Sequence, residues 1–327
     1  MSASKLGPSE YYSFGAYEKQ FSKSDRREFV GWRQEDEIDR KLNSDQWRAV
    51  SNDKLLFHST LQAGGIPFPP IKAFYNPRPR HFTGAKYLQT VEAMHDFLKD
   101  NDNLPIFIKP VFGSFGRGAV AVTKWLPETE QVVLASGDHV SLDDLLGKRT
   151  YNLDAGYLFQ ELVIPHKQTQ ALCGPRLSTV RVVVVLENDK PRIHSTVWKV
   201  LTGTNMSDNF DSGKLGNVLA NINAETGRIE SVIGIHNGLP VSSSTHPDTG
   251  VELIGAVLPC WQELRELCLS AASAYPGLKF QHWDVAISDA GPLALEANSQ
   301  GSLNIGQLAA RRGLMDSDFK AMVERLG

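Results

Sequence analysis

The stretch that decides the fold reads Trp283-Asp284-Val285-Ala286-Ile287, turns through Ser288-Asp289-Ala290-Gly291-Pro292, and returns as Leu293-Ala294-Leu295-Glu296-Ala297-Asn298. Apolar alternation on both sides of a turn rich in Gly, Pro and Asp predicts an antiparallel hairpin. Pairing Ile287 with Leu293 sets Val285 opposite Leu295 and Asp284 opposite Glu296. Asn298 shares their face, and His282 falls opposite Asn298, because strand side chains alternate. Like charges directly opposite one another destabilise a sheet, so the pairing asks for a cation. Oxygen ligands of this kind suit Mg²⁺ or Mn²⁺. The alternative is a solvated face carrying two unrelated acids, and a one-residue slip would part them.

Working outward, residues 179–186 and 193–201 flank the turn Glu187-Asn188-Asp189-Lys190, and residues 218–223 and 229–235 flank Ala224-Glu225-Thr226-Gly227. With the hairpin they predict a mostly antiparallel sheet. Residues 251–275 read as one helical region interrupted near Pro259, with Leu264, Leu267, Cys268, Ala271 and Ala272 facing the core. In the first half, residues 26–50 carry apolar side chains at helical intervals, and residues 54–64 and 90–98 fit helices, the former ended by Gly64-Gly65. Residues 104–109 predict a short strand, with a return strand through Val120, Val122 and Trp125. The mixture argues an α+β (mixed α/β) chain of two lobes. The expected division is a helical segment over 1–52, an N-terminal lobe over 53–163 and a C-terminal lobe over 164–327.

Between the two strands of the first half lies Lys109-Pro110-Val111-Phe112-Gly113-Ser114-Phe115-Gly116-Arg117-Gly118. Glycines at a hairpin tip let backbone N–H groups approach phosphate oxygens closely, and Lys109 could neutralise the same charge. No Gly-Lys-Ser/Thr opens a helix here, so this is not a Walker loop. The plain alternative is a glycine-loosened hairpin tip.

Composition excludes several classes. The 327 residues are 41% hydrophobic, enough for a substantial core, and carry a formal net charge of −3 without a dense Lys/Arg block. A nucleic-acid or anionic-membrane partner is therefore not expected. Cys173, Cys260 and Cys268 lack metal-ligand spacing and read as reduced, packed thiols. No basic, apolar leader and no run of about 18 apolar residues is present, so the expected location is cytoplasmic.

Taken in order, these segments resemble the ATP-grasp superfamily, and within it most closely the sugar-transfer-associated or alpha-L-glutamate-ligase-like group. Asp53-Lys54, Leu61 and Gly65-Ile66-Pro67 look like the opening segment whose lysine reaches ATP phosphate. Ile106-Phe107-Ile108-Lys109-Pro110 looks like the second ATP lysine, and Gly113, Ser114, Phe115, Gly116 and Gly118 like the phosphate-covering loop. Phe159-Gln160-Glu161-Leu162-Val163 resembles the connector that recognises adenine. Ser178-Thr179-Val180-Arg181, Asp208-Asn209-Phe210 with Gly213, Thr226-Gly227-Arg228 and His246-Pro247-Asp248-Thr249-Gly250 resemble the closer group. Asp284, Glu296 and Asn298 then take the magnesium-ligand positions.

The resemblance implies ATP held between two lobes and a reaction in which a carboxylate attacks the γ-phosphate to form an acylphosphate that an amine captures. It makes the chain an ATP-dependent ligase for a small-molecule carboxylic acid and an amine, among them an amino acid, a sugar acid or a small peptide. A kinase acting on a hydroxyl and a non-catalytic nucleotide-binding protein are the other classes that fit. Phosphoryl transfer is catalysed by positioning and charge neutralisation, so two lysines, backbone N–H groups and Mg²⁺ suffice. Arg181 is the candidate for binding the transferred phosphate or the acceptor carboxylate, its alternative being a surface ion pair. One position departs from the D-alanyl-D-alanine ligases, which carry an arginine two residues before the first metal aspartate; here it is His282. Arg181, Lys199 and Arg228 are the cations that could replace it, Lys199 as a further nucleotide contact. His282 reads either as a proton-shuttling neighbour of the site or as a hydrogen-bonded structural histidine.

Overall fold

The computed structural model describes residues 6–113, 116–146 and 153–326. The chain divides into two compact units, one made of Met1–Ser51 with Ile164–Gly327, the other of Asn52–Val163.

The N-terminal part of the larger unit is helical: α1 (Pro8–Ser13), α2 (Lys23–Glu28), α3 (Trp32–Leu42) and α4 (Asp45–Asn52). The helical periodicity of residues 26–50 is thus split by extended residues at Phe29 and Asn43. Asn43 explains how this segment docks. Its amide nitrogen donates to the carbonyls of Phe280 and Ser299 at 2.7 and 3.1 Å, while its oxygen accepts the Phe280 N–H at 3.0 Å. A buried amide satisfied on both sides fixes one register of attachment.

The smaller unit runs α5 (Lys54–Ala63), β1 (Ile71–Tyr75), β2 (Lys86–Leu88), α6 (Val91–Lys99), β3 (Ile106–Pro110), β4 (Val120–Leu126), β5 (Gln131–Leu134), β6 (His139–Ser141), α7 (Leu142–Asp144) and β7 (Tyr157–Glu161). Its sheet has the order β2-β1-β7-β3-β4-β5-β6 and is antiparallel except at β1–β2. Met94, Phe97 and Leu98 of α6 pack against Ile106, Ile108 and Phe159. Leu55 of α5 joins Phe74, Val111 and Leu158 in a second cluster.

The larger unit continues with α8 (Lys167–Cys173), β8 (Val180–Glu187), β9 (Lys190–Val200), β10 (Val218–Ile222), β11 (Ile229–His236), β12 (Leu239–Ser243), α9 (Trp261–Ser273), β13 (Phe280–Ser288), β14 (Gly291–Asn298), α10 (Asn304–Ala310) and α11 (Ser317–Leu326). All neighbours in the sheet β12-β11-β10-β9-β8-β13-β14 are antiparallel. Val180 and Val182 to Val185 of β8 are buried on both faces. The reason is a helix layer on each side, as a continuous β-branched run requires. Across one face α9 packs on β8, β9, β13 and β14, with Leu264, Leu267, Cys268, Ala271 and Ala272 among its buried side chains, beside Trp261. On the other, Ile38 and Leu42 of α3 and Phe319, Met322 and Val323 of α11 meet Val183, Val185 and Phe280.

One helical expectation is corrected. Residues 251–259 are not helical; Glu252 and Val257 form isolated bridges to Thr245 and Arg228, and the Ile229 N–H donates to the Ala256 carbonyl at 2.8 Å. Gly255, at φ +88°, and Pro259 break a pattern whose apolar spacing alone suited a helix. No described helix is long and apolar enough to cross a membrane.

Candidate active site

In the larger unit the hairpin sets Asp284 opposite Glu296 and His282 opposite Asn298, as the sequence predicts. The pairing nearer the turn differs. Ile287 meets Pro292 and Val285 meets Ala294, with a register shift between Asp284 and Val285. The strands run on to Ser288 and Gly291, so the turn is tighter than five residues, and the irregularity beside Leu295 restores the acid pairing. Irregularities of this kind re-aim side chains where a site is built.

Asp284 also sits in register with Arg181 on β8. Arg181 donates to both of its carboxylate oxygens, from Nε at 2.7 Å and Nη2 at 2.8 Å. Lys199 lies 3.2 Å from the same Asp284 oxygen and 3.3 Å from Asp208. Asp208 in turn accepts the Thr179 N–H at 3.0 Å and the Thr179 hydroxyl. Burial alone would raise the Asp284 carboxyl, but Arg181 and Lys199 hold it well below the usual carboxylate range. Lys199 keeps its charge against burial because Asp208 and Asp284 face it, raising its pKa.

The alternative of a surface ion pair for Arg181 is therefore corrected: the pair is bidentate and largely buried, with the two side chains 13% and 7% exposed. Two of the three cations weighed against the arginine missing at His282 are at Asp284. Arg228 is not, and donates to the Gly255 carbonyl at 2.8 Å on the exposed edge. Thr179 and Asp208 belong to the cluster without having been read as site residues. Their only signal was membership of short motifs, since a contact from Asp208 to Thr179 has no local pattern.

Glu296 accepts the Asn298 side-chain N–H at 3.1 Å. Among the described residues no cluster of three or more His, Cys, Asp or Glu side chains is arranged to hold a metal; the oxygen set here is two carboxylates and an amide. Its chemistry fits a hard divalent cation. The carboxylates of Asp208, Asp284 and Glu296 outnumber Arg181 and Lys199 by one, and Asp284's three short contacts leave part of its lone-pair capacity unused.

His282 is fully buried, and neither ring nitrogen has a hydrogen-bond partner among the described residues. It is not the hydrogen-bonded structural histidine of the sequence reading. Burial first, then the charge of Arg181, holds its basicity well below the ordinary histidine value.

In the smaller unit Asp53 caps α5, accepting the N–H groups of Leu55 and Leu56 at 3.0 and 3.2 Å, and Arg80 pairs with it at 2.8 Å. That cap fixes Lys54, whose Nζ donates to the Gly113 carbonyl at 2.8 Å. Lys109 is buried on β3 opposite Leu158. Burial, then the charges of Lys109 and Lys54, hold His58 well below its ordinary value. Gly113, Gly116 and Gly118 all have positive φ, which only glycine adopts freely; Ser114 and Phe115 lie outside the described residues. Gln160 points inward, donating to the Pro69 carbonyl at 3.1 Å and lying 3.3 Å from His58 Nε2. Glu161 ends β7 exposed, with Leu162 and Val163 half-buried after it.

The family described as sugar-transfer associated ATP-grasp matches residues 33–322. Among solved structures the chain is similar to the biotin carboxylase of Campylobacter jejuni, with TM-score 0.52 and 12% identity over 88% of this chain and 48% of that one. It is also similar to the VanG D-Ala:D-Ser ligase of Enterococcus faecalis (TM-score 0.47, 14% identity, 87% of this chain, 63% of that chain). A third is the D-alanine-D-alanine ligase of Coxiella burnetii (TM-score 0.47, 12% identity, 87% and 60%). The chain spans less than two thirds of the length of each of these neighbours. Identities this low speak to fold alone. Among curated proteins none matches the chain.

Proposed function

The chain belongs to the sugar-transfer associated ATP-grasp family, and from that premise we propose that it is an ATP-dependent ligase joining a small-molecule carboxylic acid to an amine. The observation that carries this reading is the largely buried cluster in which Arg181 and Lys199 flank Asp284 beside Glu296. Phosphoryl transfer needs fixed charges around moving oxygens and no covalent residue, and this cluster supplies both signs on a rigid sheet.

Phosphate binding is assigned to Lys54, Lys109 and the backbone of Gly113, Gly116 and Gly118, with Ser114 and Phe115 in the same loop. Because the Gln160 amide is already engaged, adenine recognition falls to the backbone of Glu161, Leu162 and Val163. Asp284, Glu296 and Asn298 would hold Mg²⁺, or Mn²⁺, which would neutralise phosphate charge and orient the transferring group. Lys199 contributes charge toward the nucleotide, and Arg181 presents its remaining N–H groups to the acid or the transferred phosphate. A substrate carboxylate oxygen attacks the γ-phosphorus, the bond to ADP breaks, and an acylphosphate forms. The amine then attacks the acyl carbon, phosphate departs with the carboxylate oxygen, and a proton is lost. His282 has no atom free to the solvent, so a role in the reaction would run through the groups it packs on. A cytoplasmic setting, where ATP and Mg²⁺ are at hand, is part of the proposal.

The test is trapping. With MgATP, a panel of amino acids and sugar acids, and hydroxylamine, the expected products are ADP, phosphate and a hydroxamate. A stable phosphorylated product without free phosphate would instead indicate a kinase.

A further inference from the structure

Two residues beyond Asn298 the chain enters a cleft of about 200 Å³ in the larger unit. One wall is the 300–304 segment, with Gly301 and Asn304; the other is α3, with Trp32, Glu35, Asp36 and Asp39. Two residues of chain span at most about 7 Å, so the cleft adjoins the end of the strand that carries Glu296 and Asn298. We propose that this cleft binds the amine substrate as its ammonium cation, with Glu35 as the counter-charge. The proposal rests on the ligase reading above and adds the chemistry of the second substrate.

The cleft is more than a group of acids. Asp39 is paired with Arg48 at 2.7 Å and Asp36 with Arg40 at 2.5 Å, so each has its own cation. Among the described residues Glu35 has none in contact. It is 6% exposed; one carboxylate oxygen accepts the Leu303 N–H at 2.6 Å, and the other has no partner among the described residues. Asn304 Oδ1 is likewise buried without a donor. Both groups are acceptors; Asn304 Oδ1 is buried and unmatched, which is costly until a donor arrives, and the second Glu35 oxygen is left to the cleft. An ammonium brings three donors and no acceptor, whereas a carboxylate or phosphate brings only acceptors. The volume, equal to about six or seven waters, suits a small amine or the ammonium end of a larger one.

Charge agrees with the geometry. Burial, with Asp39 and Glu10 nearby, pushes the Glu35 carboxyl up to about 8, against the Leu303 N–H and the more distant Arg181, which favour ionisation. The empty cleft therefore carries a protonated Glu35 at neutral pH. A bound cation displaces that proton to the solvent, which keeps the charge of the cleft constant.

Calorimetry on the full chain, with and without ADP and Mg²⁺, distinguishes the outcomes. The probes are L-alanine, L-lysine, putrescine and D-glucosamine, each beside a counterpart lacking the cation: lactate, 6-hydroxynorleucine's N-acetyl form, 1,4-butanediol and N-acetylglucosamine. The expected result is binding of at least one amine, at least tenfold tighter than its counterpart, with tenfold or greater loss in both Glu35→Gln and Asn304→Ala. Glu35→Gln keeps volume and the acceptor for Leu303, and its urea midpoint guards against misfolding. Binding of no amine in either state, or unchanged binding in the two variants, overturns the proposal. Amine binding that depends on Glu35 in a protein forming no hydroxamate would keep the cleft and remove the ligase reading. Hydroxamate formation without such binding would do the reverse.

Discussion

Arg181 and Asp284 face each other in register on adjacent strands and share two parallel hydrogen bonds, 2.7 and 2.8 Å long. The planar fork is what a lysine cannot reproduce. Removing Arg181 leaves Asp284 with Lys199 as its one contacting cation among the described residues, so the loss should lie near the lower end for a broken buried pair, about 3 kcal/mol. Arg181→Met is therefore expected to lower unfolding free energy by about that amount in urea, and Arg181→Lys by less, with turnover lost in both. An unchanged midpoint in Arg181→Met would mean that Asp284 does not depend on this partner.

Glu35 makes a pH-dependent contribution of opposite sign to that of a paired carboxylate. Its folded value, about 8, lies above the ordinary 4.5, so between these values the folded state keeps a proton that the unfolded chain has released. Stability linked to Glu35 is thus fully present below about pH 4.5 and falls as pH rises through about 8. Glu35→Gln cannot titrate, and its stability relative to the native protein should rise on the order of a few kcal/mol across that window. Urea midpoints of both proteins at half-unit pH steps measure the difference; parallel curves would place the Glu35 carboxyl near its ordinary value.

Among the described residues Glu296 accepts from Asn298 and forms no ion pair in direct contact, although Arg181 and Lys199 are near enough to feel its charge. Glu296→Gln preserves shape and that hydrogen-bonding neighbour while removing a charge, so stability should move within about 0.5 kcal/mol. ATP turnover should fall by at least about 100-fold, in keeping with loss of one electrostatic group at a phosphoryl-transfer site. Full activity in a folded Glu296→Gln would take Glu296 out of the metal site.

Gly301 lies against the ring of His282: a Cβ there would sit 2.1 Å from Cγ and 2.5 Å from Nδ1. Gly301→Ala should cost about 1–3 kcal/mol through overpacking. His282→Ala should absorb the clash, so the double variant is expected to be less impaired than the sum of the singles by about 1 kcal/mol or more. Additive losses in a double-mutant cycle would show that the loop moves away from His282 instead.

The pairing of Asp284 with Glu296 was legible because alternation and a turn rich in Gly and Pro set a register on their own. The irregularity beside Leu295 was not, since the same side chains suit a regular pairing through Val285 and Leu295. The helical reading of 251–259 failed for a related reason: apolar spacing does not distinguish a helix from a loop whose backbone is satisfied by β11. Lys54 and Lys109 could be singled out by their motifs, yet that both charges act on His58 follows from the packing of α5 on the sheet. Thr179, Lys199 and Asp208 meet only because β8, β9 and the segment after it fold together. The cleft at Glu35 was invisible for the same reason, being formed by segments separated by most of the chain.

The central claim is that a carboxylate is activated by phosphoryl transfer, and oxygen transfer measures it directly. A candidate acid labelled with ¹⁸O in its carboxylate is incubated with MgATP and an amine, and the released phosphate is weighed by mass spectrometry. Collapse of an acylphosphate must leave one substrate oxygen in phosphate, so singly labelled phosphate in amounts equal to ADP is the expected result. Unlabelled phosphate, or ADP formed with a stable phosphoester and no free phosphate, would contradict it.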